Sequence, residues 1–304
     1  MRRRNGTFVV LFLLPALFIY STFFVFPIIL GFRVTFYKSV FGFLDQYVGW
    51  QNFTLLFGAE TFRNQFFNAI KNNFIFLGIS LIGTNILGLT FAFLFSTRKL
   101  RGAGAFRNIL FSPQIIPIIT VGYISSLIFN PSLGTYDKIA GFLHFPDLFV
   151  NVLGKPNTAL YTISIIEILR LLGFPLTIYY VAINDIPTDI IAASRIDGAN
   201  DFRILLHIVL AMISPILITT NVLMFIGSFI YFDLIYIMQG YLGGPAFSTD
   251  VLGVFFYRTT FGGHHGGGDP GIGAVISMCM LLILAIVAIV GMLMQRTLRR
   301  RLSL

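Results

Sequence analysis

Hydrophobic and charged positions alternate along this chain on a long wavelength, as wide apolar runs separated by short polar stretches. No charged residue lies between Arg4 and Arg33, Lys71 and Arg98, Arg107 and Asp137, Arg203 and Asp233, or Asp269 and Arg296. A sixth run, from about Pro156 to Asn184, carries Glu167 and Arg170 and is otherwise apolar. A helix needs about 20 apolar residues to cross a bilayer. Period-2 alternation is missing, which favours helices over barrel strands. The pattern therefore predicts six transmembrane helices. The first follows Arg2, Arg3 and Arg4 and is longer than the apolar core of a signal peptide, so it is read as an uncleaved span. Pro15 and Pro27 are tolerated in it where neighbours satisfy the freed carbonyls.

Composition supports this reading. The 304 residues are 56% hydrophobic and only 11% charged, against about 25% charged in soluble domains. The apolar runs extend end to end, so one membrane domain over residues 1–304 is expected. Its core helices fall at about 70–295, with the first span and an outer loop at 1–69. The net charge of +9 would point to nucleic acid if it formed a patch. Instead the basic residues cluster at the ends of apolar runs, where they set topology. That excludes a nucleic-acid groove. The single cysteine, Cys279, allows no intrachain disulfide and no cysteine metal site.

Orientation follows from those basic clusters. An inner N-terminus places Arg2–Arg4, Arg98, Lys99, Arg101, Arg107, Arg195, Arg203, Arg296 and Arg299–Arg301 on the inner side. The outer segments are longer and hold fewer: Arg33, Lys38, Arg63, Lys71, Lys138, Lys155 and Arg258. Both termini are then cytoplasmic. Of the outer loops, Arg33–Asn68 carries Gly49, Trp50 and Asn52 with interface-type aromatics. Asn130–Asn157 is rich in turn residues, and Gln239–Gly273 is rich in glycine.

The most polar interruption of the second half begins at Asp185 and continues from Ile186 through Asp189, Arg195, Asp197, Asp201 and Arg203. It falls on the inner side. Pro187 suits the first turn of a helix. Ala192, Ala193 and Ser194 give that helix a small face, and Asp197-Gly198 closes it through a left-handed C-cap. Asp201 is expected to cap the helix that begins near Phe202 and enters the membrane.

These residues resemble the signature loop of the permease subunits of ABC importers. That pattern runs Glu-Ala-Ala, three residues, Gly at the seventh place, then a spaced Ile-x-Leu-Pro. Ile186-Pro187, Ala193, Ile196, Asp197-Gly198-Ala199, Phe202, Ile208, Leu210 and Pro215 fall in place. Two positions depart from it: Ala192 stands where the family has Glu, and Ala211 where it has proline. FLLPALFIY near the start, VGWQNFTLLF in the first outer loop, and the stretch from Phe232 through QGYLGGP to Phe261 look like the maltose-type, carbohydrate-importing branch. The resemblance implies a type I importer fold in a prokaryotic cell membrane. Its implied partners are a second, different permease subunit, ATPase subunits and an external sugar-binding protein. It also implies that residues 186–203 couple to the ATPase through Ala192, Ala193, Ser194, Asp197, Gly198 and Ala199. No G-x-x-x-x-G-K-[ST] loop occurs, and Gly154-Lys155 is followed by proline. ATP and magnesium would therefore sit on the partner ATPase, with no cofactor and no enzymatic site in this chain.

Candidates for the solute path are Glu167, Arg170, Asn221 and Asp233. Charges in a span face an interior or a wet cavity. Glu167 and Arg170, three apart, either line the passage, satisfy each other, or contact the partner subunit. Asn85, Gln114 and Asn221 suit interhelical hydrogen bonds as well as solute. His264-His265 with Asp269 lacks a third strong ligand and a fixed geometry, so it reads as an outer loop and not a metal site. An ion-coupled secondary transporter would require inverted repeats and midplane carboxylates, and only Glu167 is deeply placed. A permease for another solute, of the glycerol phosphate type, is the alternative within the family.

Overall fold

A computed structural model describes residues 5–40, 43–97, 102–130, 133, 141, 151–262 and 268–302. In chain order the elements begin with α1 (Asn5–Tyr20), a π-turn (Ser21–Val25), α2 (Phe26–Val34), β1 (Tyr37–Val40), β2 (Phe43–Tyr47), α3 (Gln51–Gly58) and α4 (Glu60–Thr97). Next come α5 (Ala103–Ile115), α6 (Ile118–Ile128), α7 (Pro156–Leu171), α8 (Gly173–Asn184) and α9 (Thr188–Ile196). Then α10 (Asp201–Arg203) runs through a π-turn (Ile204–Val209) into α11 (Leu210–Phe229). The last three are α12 (Asp233–Gln239), α13 (Leu252–Phe261) and α14 (Pro270–Leu302).

Among the described residues, four helical stretches are long and apolar enough to cross a membrane: Val10–Val34, Glu60–Thr97, Asp201–Gln239 and Pro270–Thr297. The count reaches six if each of two bent pairs is one span: α5 with α6, bent by 94°, and α7 with α8, bent by 45°. These six stretches are the runs read from the sequence, but three of them are broken. Each break has a local cause or compensation. Ile116 precedes Pro117 and is extended (φ −70°, ψ 131°), as the clash with a following proline ring demands. Pro175 has no N–H to offer the Leu171 carbonyl, and its ring pushes that carbonyl aside. The gap between α11 and α12 leaves the Phe229 carbonyl without a helical partner. Buried Asn73 of α4 donates to that carbonyl from Nδ2 (3.1 Å) and accepts the first N–H of α13, Leu252, on Oδ1 (2.6 Å).

The chain divides into two compact units. One comprises the residues up to Phe66 together with Phe256–Leu281. Within it, β1 and β2 form a short antiparallel pair with a register shift at Lys38/Ser39, a local addition to the predominantly helical, all-α fold expected from the sequence. Buried Asn52 donates to the carbonyls of Thr35 (2.8 Å) and Tyr37 (3.0 Å), fixing α3 to the start of that pair. Phe36, Trp50 and Phe53 pack ring against ring beside it.

The second unit comprises Phe67–Phe255 and Leu282–Leu304. Its axis is α4, whose 38 residues span roughly 57 Å at 1.5 Å per residue. That exceeds a bilayer core of about 30 Å, and Lys71 in its first half is exposed. Two buried clusters flank this helix. One gathers Phe76 with Leu160, Ile163, Tyr231, Leu234, Ile235, Val251 and Val254. The other gathers Ala92 and Phe93 with Tyr179, Ala182, Ile183, Ile186, Ile204, Val209 and Ile213.

Candidate functional site

Three features of the second unit hold most of the residues named from the sequence. The first is the polar segment between α8 and α11. Pro187 caps α9 with extended geometry (φ −53°, ψ 129°). The helix ends in a Schellman motif. The Ala199 N–H reaches the Ser194 carbonyl (3.0 Å), and the Gly198 N–H reaches that of Arg195 (3.1 Å). Gly198 takes φ +82°, which a Cβ-bearing residue adopts only at a cost. The next cap differs from the sequence expectation: Asn200, not Asp201, accepts the Arg203 N–H on its side chain (2.9 Å). An asparagine one residue earlier sits at the extended position that an N-cap requires. Asp201 lies inside the first turn and meets Arg195 at 3.4 Å across the bend. Both side chains are about half exposed, so the pair adds little.

The side chains of this segment divide between two environments. Ser194 is buried, with its hydroxyl donating to the Ile191 carbonyl (2.8 Å). Ala192, Ala193, Asp197 and Gly198 are exposed and Ala199 is half-buried. Beyond the residues singled out from the sequence, Ile196 is 87% exposed and Phe202 66%. Their carboxylate neighbours Asp189 and Asp197 are exposed too. A groove of about 240 Å³ runs behind the helix, between Ser96 and Thr97 of α4 and Asn184, Thr188, Ala192 and Arg195.

The second feature is a buried charge cluster near the bend between α7 and α8. Arg170 grips Glu167 with two parallel bonds of 2.8 Å, from Nε and Nη2. Glu167 is fully buried. Tyr231, in the gap between α11 and α12, completes the cluster. Its hydroxyl donates to Glu167 and accepts from Arg170 Nη2 (2.9 Å). Of the three readings open from the sequence, the mutual pair is the contact seen here, and the sequence did not reveal Tyr231. Arg170 also borders a cleft of about 600 Å³ whose other polar groups include Ser125, Thr158, Tyr161 and Thr162.

The third feature is a polar knot on α4. Asn85 accepts from the Tyr179 hydroxyl (2.5 Å) and donates to Asn221 Oδ1 (2.8 Å). Asn221 therefore joins two helices, and it also borders an apolar groove of about 410 Å³ with Leu217, Phe225 and Ile286. Asp233 is the exposed first residue of α12 and takes no part in the hydrogen bonds among Glu167, Arg170 and Tyr231. The Gln114 carbonyl oxygen is buried without a hydrogen-bond partner among the described residues. Among them, too, no group of three or more His, Cys, Asp or Glu side chains is placed to hold a metal. His264 and His265 lie outside the described residues.

Comparison with known proteins places this geometry. The chain is 28% identical to the trehalose/maltose transport system permease protein MalF of Thermococcus litoralis over 284 residues, covering 93% of this chain and 92% of that one. It is 27% identical to the probable starch degradation products transport system permease protein AmyD of Thermoanaerobacterium thermosulfurigenes over 290 residues, covering 94% and 93%. Its fold matches a chain of a bacterial ABC transporter that imports the acidic polysaccharide alginate, with a TM-score of 0.75 at 20% identity over 97% and 96% of the two chains. Residues 84–304, which contain α9, the Gly198 turn and all of the charge cluster, match the family described as binding-protein-dependent transport system inner membrane component. The chain thus belongs to that family of membrane-embedded permease subunits.

Proposed function

We propose that this chain is a carbohydrate-importing permease subunit whose segment 186–203 docks on a separate ATPase. The observation that carries the reading is the short exposed helix α9. It is closed by the Gly198 turn and joined without a flexible linker to α8 on one side and to α10 and α11 on the other. A push on such an element is delivered to two membrane helices. Ala192, Ala193, Ser194, Asp197, Gly198 and Ala199 form the docking bend. ATP and magnesium belong to the partner, which closes on ATP and drags the bend. Two-state switching between inward- and outward-facing forms follows, each state favoured by different contacts.

The whole chain acts as one permease domain of six spans with both termini in the cytoplasm. It pairs with a second, different permease subunit and receives solute from an external sugar-binding protein. The names of its relatives, which transport trehalose, maltose and starch products, favour an oligosaccharide. A solved complex of the alginate importer with an oligosaccharide-bound periplasmic protein supplies the precedent for that delivery. Glu167, Arg170, Asn221 and Asp233 are the chain's candidates along the path, with Arg170 best placed because it reaches the 600 Å³ cleft.

The test is affinity purification of the tagged chain from its native membrane, with the bound subunits identified by mass spectrometry. A second permease and an ATPase should co-purify. Gly198→Pro should lose the ATPase and keep the second permease. Recovery of the wild-type chain without any ATPase would refute the proposal.

A further inference from the structure

The charge cluster does more than satisfy two buried ions. Glu167 and Arg170 are both on α7, three residues apart. Had the pair closed on itself, it would join nothing to anything. The Tyr231 hydroxyl changes that, because it contacts both members from a different span. Tyr231 sits at the break between α11 and α12, and Arg170 sits just before the 45° bend between α7 and α8. The two broken spans that flank segment 188–199 are therefore tied to each other at their breaks.

Two further links lie between that tie and the segment. Tyr179 of α8 and Asn221 of α11 meet on Asn85. Nearer the segment, Tyr179, Ala182 and Ile183 pack with Ile204, Val209 and Ile213. Hinge motions are absorbed by a few loop or element-terminal residues, and the breaks in these two spans are such places. These two are pinned by a fully buried carboxylate, whose release without a partner is costly in an apolar interior. We infer that Tyr231 is a positioning residue that locks the breaks of the two spans together, so that α7–α8 and α11–α12 move as one body when the segment is displaced. This rests on the proposal that an ATPase displaces the segment.

The experiment uses the purified complex with its ATPase, after Cys279→Ser removes the native thiol. Spin labels at Leu169 and Ile230, both more than half exposed, report the separation across the tie. A second pair, at exposed Ile196 and Ile119, reports switching. Distances are measured by pulsed electron resonance without nucleotide and with ATP and vanadate. The second pair should shift between the two conditions, while the 169–230 distance stays narrow and unchanged. Tyr231→Phe, which keeps the ring among Phe76 and its neighbours, should broaden the 169–230 distribution or make it depend on nucleotide. Arg170→Lys, which keeps the charge but loses the fork, should do the same. A wild-type 169–230 distance that shifts together with the second pair would overturn the tie. So would variants that leave the distribution narrow. If the second pair itself fails to respond to ATP, the failure belongs to the proposed coupling.

Discussion

Substitutions at Gly198 separate the backbone demand of the turn from any side-chain contact. Glycine there has φ +82°, and a Cβ built on it would meet no atom within 4 Å. Alanine therefore loses nothing to crowding and suffers only the left-handed backbone, about 1–2 kcal/mol. If docking requires this turn, the ATPase should bind the alanine variant up to about 5- to 30-fold more weakly, at 1.4 kcal/mol per tenfold. Asparagine tolerates the left-handed region better and should fall between glycine and alanine. Proline fixes φ near −65° and removes the N–H that reaches the Arg195 carbonyl. With the left-handed turn unable to form, binding should weaken by more than the roughly 30-fold upper bound for alanine. The assay is equilibrium binding of the purified ATPase subunit to the permease in nanodiscs, read for the four side chains in parallel. Equal affinity for glycine and alanine would refute the argument. An asparagine variant weaker than alanine would show that a side-chain clash, not φ, sets the order.

Three other outcomes follow from the same geometry. Asn200→Ala removes the cap on the Arg203 N–H and should lower stability by about 0.5–2 kcal/mol, with Asn200→Asp restoring it; thermal unfolding in detergent measures both. Tyr179→Phe deletes the hydroxyl bound to Asn85 and should cost about 0.6 kcal/mol, the usual size of an interhelical hydrogen bond in a membrane, a change that chemical denaturation resolves. Gly173→Ala places a Cβ about 2.5 Å from the Phe111 backbone and should cost about 1–3 kcal/mol by overpacking, lowering the midpoint of unfolding while a Gly104→Ala control, with open space around it, does not.

Much of the architecture was legible because membrane insertion imposes a coarse pattern. Long uncharged runs announced the helices, and the Asp197-Gly198 pair announced the left-handed cap. The spacing of Glu167 and Arg170 allowed their pairing but left a solute-facing or partner-facing role equally open. The unread parts depend on long-range or fine local geometry. Tyr231 is one tyrosine in an apolar stretch and lies 61 residues from Arg170, so no spacing linked them. The bends at Pro117 and Pro175 went unread although both prolines stand in the sequence, because proline is tolerated inside membrane helices and does not by itself fix a break. The break before Asp233 has no proline of its own and is stabilised by Asn73, 156 residues from Phe229. The cap falls on Asn200, one residue before the expected Asp201, because both side chains can cap and only the backbone distinguishes them. The π-turn at Ile204–Val209 likewise leaves no mark on hydrophobic periodicity.

The most direct test of the docking claim is a photoreactive residue placed at Ile196, 87% exposed at the end of the short helix. In the assembled transporter, illumination should join it to the ATPase subunit, with the yield changing when ATP is added. A crosslink to the external sugar-binding protein, or to no polypeptide at all, would contradict the account.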